Sequence, residues 1–148
     1  MTESSRLFLF PDINVWVALT YDRHTHHPTA RNWFDRLAPM ARLFFCRLTQ
    51  LGLLRLLSSE AVMGPDSAQS QQEAWKAYDI WLQDERIEFL EEPGALEAQF
   101  RTLTRSPHAS PKDWADSYLL AFASAADLRL VSFDQAMRLK GTNLLLLQ

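Results

Sequence analysis

Short apolar runs alternate along this chain with longer stretches in which apolar residues recur every three or four positions. The runs at 6–10, 42–46, 87–90, 129–133 and 144–147 predict strands, the first broken by Pro11. Helical spacing predicts helices over Val15 to Tyr21, from Pro28 through Trp33, Phe34 and Leu37, and from a cap at Thr49 through Leu51, Leu54 and Leu57. Further helices are expected over 71–83, with Trp75, Tyr78 and Trp81 on one face, over Gly94 to Thr104, from Pro111 to about Ala126, and briefly after Asp134. Asp22 to Pro28, holding three of the four histidines, predicts a loop. Gly64-Pro65-Asp66 is the clearest break, and Ser67 to Ser70 prolongs it. Strands alternating with helices imply an α/β fold, a three-layer α/β/α sandwich with a mainly parallel central sheet. No repeat or low-complexity segment interrupts it, so residues 1–148 are expected to form a single domain.

In such sheets, sites form beyond the carboxyl ends of the strands. Asp12 and Asp134 each lie just past such an end, and Asp113 and Asp116 open the helix after Pro111. Converging carboxylates repel one another unless a cation neutralises them, and hard divalent cations with oxygen ligands suit phosphate chemistry. A metal-dependent phosphodiesterase is therefore the sharpest expectation.

Each aspartate also has a plain structural role open to it. Asp12 can be a helix cap, and Asp134 can cap the short helix that follows it. Ser110-Pro111-Lys112-Asp113 resembles a capping box, which favours a structural Asp113. Asp116 lies on the margin of the apolar run Tyr118 to Ala123 and lacks such an excuse. Asn14 can cap a helix or hold a metal-bound water, and Ser132 can hydrogen-bond a phosphate, a water or a carboxylate. An aspartyl-nucleophile phosphatase needs a second Asp two residues after the first, where this chain has Asn14.

Composition adds little direction. Of 148 residues, 47% are apolar and 22% charged, and the net charge of −3 gives no global nucleic-acid signal. Arginine supplies 12 of the 15 basic residues, compatible with a local phosphate-binding rim or with ordinary surface pairs. Cys46, the single cysteine, sits in an apolar run and is expected to be a buried thiol. With no signal-peptide pattern and no membrane-length apolar segment, a cytoplasmic protein without membrane contact is expected.

Three segments resemble PIN-domain ribonucleases, specifically VapC-type toxins of type II toxin–antitoxin pairs: Phe10 to Leu19, Asp116 to Ala123 and Leu130 to Asp134. The stretch His24 to Trp33 is similar to another part of these toxins. The resemblance implies a PIN-like fold and an acidic site at Asp12, Gln50, Asp116 and Asp134, with Mg²⁺ or Mn²⁺ held chiefly by Asp12 and Asp116. Asn14, Asp113 and Ser132 would be accessory, and Arg55 would contact RNA phosphate or form a salt bridge. It further implies endonucleolytic cleavage of a structured RNA, of the tRNA or rRNA class, by an attacking water, a cognate VapB-type antitoxin, and a homodimer. Gln50 stands where these toxins carry Glu, within Thr49-Gln50-Leu51-Gly52. The amide removes one negative charge, which leaves a weakened or non-catalytic RNA- or protein-binding module as the alternative.

Overall fold

The structure, a computed structural model, describes residues 7–140 and 143–148. Five strands, β1 (Phe8–Pro11), β2 (Arg42–Phe45), β3 (Ile87–Phe89), β4 (Arg129–Ser132) and β5 (Leu144–Leu146), form one sheet in the order β3-β2-β1-β4-β5. Every neighbouring pair is parallel. Successive residues point to opposite faces, so Leu9, Leu43, Phe45 and Val131 enter one apolar layer while Phe10, Phe44, Cys46 and Leu130 enter the other. Helices α1 (Ile13–Thr20), α2 (His27–Asp35), α3 (Arg47–Leu57), α4 (Glu60–Met63) and α5 (Gln71–Leu82) cover the first face. Helices α6 (Leu96–Leu103) and α7 (Asp113–Ala126) cover the second. The expected three-layer sandwich is present, with a sheet that is parallel throughout. Among the described residues no helix is long and apolar enough to cross a membrane.

Local differences have local causes. Pro11 closes β1 as its last paired residue, opposite Val131, and the next donor, Asp12 N–H, reaches Val131 O at 2.8 Å. Thr49 does not cap its helix. Cys46 is the cap, and Thr49 sits in the first turn with its hydroxyl accepting from Cys46 N–H at 3.0 Å. The helix is therefore rotated relative to the expected face: Leu53 and Leu57 are buried, and Leu51 is 58% exposed. Helix α5 opens with a reciprocal Ser70–Glu73 capping box that the aromatic spacing did not reveal. Of its aromatic stripe, Tyr78 is buried and Trp81 donates to Thr20 Oγ1 at 2.8 Å, whereas Trp75 is largely exposed.

One close approach fixes α3 against α1. A Cβ on Gly52 would lie 2.5 Å from Ile13 Cδ1 and 2.7 Å from Ile13 Cγ1. Only glycine lets the two helices meet there. Because Ile13 directly follows Asp12, this contact fixes the middle of α3 against the residue after β1's exit to Asp12.

Candidate active site

Parallel strands deliver their carboxyl ends to one edge, and β1, β2 and β4 are neighbours in the sheet. Asp12 leaves β1 and Asp134 follows β4 at that edge. Asp12 is buried at 7% exposure and caps α1, its Oδ1 accepting from Ile13 N–H at 2.7 Å. Its Oδ2 accepts from the Ser132 hydroxyl at 2.8 Å. Burial pushes the Asp12 carboxyl up, the Ser132 and Ile13 hydrogen bonds oppose this, and the charge of Asp134 adds to it. Ser132 Oγ also accepts from Asp134 N–H at 3.0 Å. Asn14 joins the same two strand ends: its Oδ1 accepts from Phe133 N–H at 3.3 Å and its Nδ2 lies 3.4 Å from Ser132 Oγ. Asp134 caps the following 3-10 helix (Gln135–Leu139) through Ala136 N–H at 2.9 Å. Both residues thus cap helices at the edge where the sequence placed the candidate site.

Asp116 comes from α7 on the other layer. It lies in the first turn of that helix, not deeper, because α7 begins only at Asp113. Its carboxyl is pushed up to about 6, first by desolvation and then by the charges of Asp12, Asp134 and Asp113, with Lys140 opposing. That coupling brings Asp12, Asp116 and Asp134 into one electrostatic site. Asp116 accepts no hydrogen bond from the described residues. Asp113 makes no capping box: Lys112 occupies the cap position, and Asp113 forms an ion pair with Lys140 instead. Lys140 also donates to the buried Ser117 hydroxyl at 2.9 Å. Asp113, Asp116, Lys112 and Lys140 line a cleft of about 450 Å³ beside the carboxylates.

The other expected residues are placed differently. Gln50 is buried at 7% exposure in the first turn of α3, and its Oε1 is taken by Arg47 Nη1. Arg55 lies exposed in the last turn of the same helix, and no ion pair among the described residues joins it to a carboxylate. The histidine loop reaches the acidic edge only through His26, whose ring stacks on Phe133 at 4.5 Å. His27 Nδ1 is spent on Ala18 O at 2.7 Å.

Among the described residues no three His, Cys, Asp or Glu side chains are gathered tightly enough to enclose an ion unaided. Mg²⁺ commonly uses one or two carboxylates and keeps water in its remaining positions. An oxygen-only set whose members repel one another, with Asp116 unpaired, fits that habit, and Asp12 and Asp116 would be the donors.

Residues 9–141 match the PIN domain. The chain belongs to the PIN-domain family. Within this family it is 40% identical over 131 residues to Ribonuclease VapC41 of Mycobacterium tuberculosis, covering 86% of this chain and 90% of that one. Ribonuclease VapC44 of the same organism is 31% identical over 130 residues, 86% of this chain and 87% of that one. The PIN fold here resembles the structure of VapBC2 from Rickettsia felis bound to a promoter DNA fragment, with TM-score 0.67 and 14% identity over 94% of this chain and 96% of that one. It also resembles VapC20 of Mycobacterium tuberculosis, described as a sarcin-ricin loop cleaving toxin, with TM-score 0.65 and 18% identity over 90% and 95%. The chain is thus a VapC-type PIN domain.

Sequence reading missed Lys140 and Arg47. Nothing in the sequence flags Lys140, which is brought in by the 3-10 helix. Arg47 was detectable, since residues three apart on a helix share a face, and Gln50 is three residues on.

Proposed function

We propose that this chain is a metal-dependent endoribonuclease toxin that cleaves a structured RNA by water attack on a phosphodiester. The observation that carries this reading is the triad Asp12, Asp116 and Asp134, in which Asp116 is pushed up to about 6 by desolvation and by its acidic neighbours. When bound, Mg²⁺ or Mn²⁺ supplies a lowered pKa for its water and polarises a phosphoryl oxygen. Ser132 and Ile13 fix the orientation of Asp12. Asp116, with no hydrogen bond from the described residues, is free to hold the ion or the attacking water. Asn14 holds the turn after Ser132 in place through Phe133 N–H.

Similarity to a toxin that cleaves the sarcin-ricin loop supports a structured RNA, of the tRNA or rRNA class, as substrate. Similarity to VapBC complexes supports a VapB-type antitoxin, and the proposed toxin is a homodimer in the cytoplasm. A second reading has its own support: with Gln50 neutral and bound by Arg47, the site has one carboxylate fewer and could serve RNA binding alone.

RNA cleavage in Mg²⁺ or Mn²⁺ separates the two. Wild type is expected to cleave and Asp116→Asn to lose at least a hundredfold in rate. An inert wild type beside an active Gln50→Glu would establish the binding-only reading, and an Asp116→Asn that cleaves normally would refute the site assignment.

A further inference from the structure

Arg47 begins one strand over from Asp12 at the same edge of the sheet, and its guanidinium lies over Phe89 of β3, on the side of β2 away from β1. Leu9 pairs with Leu43, so Asp12 and Cys46, each three residues on, leave adjacent strands at the same level. Neighbouring strands lie about 4.8 Å apart. Arg47 follows Cys46 directly and opens α3, whose middle packs at Gly52 against Ile13, the residue after Asp12.

The surroundings of the guanidinium are neutral. Nη1 donates to Gln50 Oε1, and Cζ sits 4.7 Å above the Phe89 ring. No carboxylate forms an ion pair with Arg47 among the described residues, and the residue is exposed. Gln50 is itself buried, so its carbonyl is a fixed acceptor that orients the fork. An amide can orient an arginine without neutralising it, whereas a carboxylate at position 50 would pair with it and cancel its charge. Four N–H donors remain for another acceptor.

We propose that Arg47, aimed by Gln50 and Phe89, is a substrate-binding residue that holds a backbone phosphate of RNA flanking the scissile one. This rests on the ribonuclease reading for the identity of the ligand. Gln50 therefore acts as a positioning residue for a cation, in addition to removing a negative charge from the acidic edge.

The test is binding of a fluorescein-labelled RNA hairpin, followed by anisotropy in EDTA across a salt series, in an Asp116→Asn background. Arg47→Ala is expected to weaken binding roughly five- to tenfold and to reduce the slope of log affinity against log salt by about 1. Arg47→Lys should keep the slope and lose part of the affinity, since it keeps the charge without the fork, and this variant guards against a folding defect in the alanine protein. Gln50→Glu should lower the slope as Arg47→Ala does. Arg55→Ala, at the far end of the same helix, tests the competing phosphate contact. An Arg47→Ala protein with the affinity and slope of its parent, no hairpin binding by the parent, or a slope that depends on Arg55 and not on Arg47 would overturn the proposal. Arg47-dependent binding by a chain whose wild type never cleaves in Mg²⁺ or Mn²⁺ would support Arg47 while refuting the ribonuclease reading.

Discussion

Replacing Asp116 by Asn should stabilise the metal-free protein, and only above a definite pH. Asp116 is raised from its ordinary 3.8 to about 6 in the folded chain. A raised carboxyl favours the folded state fully when protonated, below the unfolded value, and this stability is lost as pH rises through the folded value. At 1.36 kcal/mol per unit the shift would be worth about 3 kcal/mol at full strength. The carboxylate is partly open to water, so screening reduces this to ~1–1.5 kcal/mol. Asn also gives up a few tenths of a kcal/mol of attraction to the α7 N-terminus. The net expectation is ~1 kcal/mol, or a Tm about 2–4 °C higher for a domain of this size. Thermal melts of both proteins in EDTA at ~pH 8 and ~pH 4 provide the measurement. The variant should melt higher at the upper pH and level with wild type at the lower. A variant that melts lower at the upper pH, or gains equally at both, would refute the account of Asp116 as a repelled carboxylate.

Three other outcomes are expected. Gly52→Ala should cost ~1–3 kcal/mol in denaturant unfolding, since the new methyl meets Ile13 at 2.5 Å, and Ile13→Ala in the same chain should recover part of that; an additive double variant would argue against the contact. Ser132→Ala removes the hydroxyl donor that opposes the rise of Asp12, so the acidic limb of the activity profile should move to higher pH while stability falls by ~1–2 kcal/mol; an unmoved limb would separate Asp12 from catalysis. Mg²⁺ at a hundred times its Kd should stabilise wild type by ~2.7 kcal/mol, and calorimetric titration should find that signal lost in Asp12→Asn; undiminished binding would exclude Asp12 as a donor.

The layer architecture was legible because the strands are short apolar runs separated by helices. Asp12 and Asp134 were readable for the same reason: a strand end is a local signal, and the sheet brings strand ends to one edge. What escaped was tertiary. Asp113 looked like a cap because Ser110 lies three residues before it, yet α7 starts later and Asp113 pairs with Lys140, a residue that only the 3-10 helix brings near. Thr49 looked like a cap because it precedes an apolar run, but the helix starts three residues earlier, with Cys46 as the cap buried just past β2. The departure at Gln50 was visible as a missing charge. Its consequence for Arg47 depends on which way a buried carbonyl points, and sequence carries no such information.

The Ser132 hydroxyl has one proton to give. It gives that proton to Asp12 Oδ2 and offers its lone pairs to Asp134 N–H at 3.0 Å and the Asn14 amide at 3.4 Å. Neither of those two partners can accept in return. The polarity of the whole junction is therefore set by groups that cannot reverse, and it runs toward Asp12. A protonated Asp12 would have to turn its own proton elsewhere or break the sequence of donors. The Asp134 backbone amide thus acts on Asp12 through two hydrogen bonds, and the direction of those bonds opposes the rise that burial imposes on the Asp12 carboxyl.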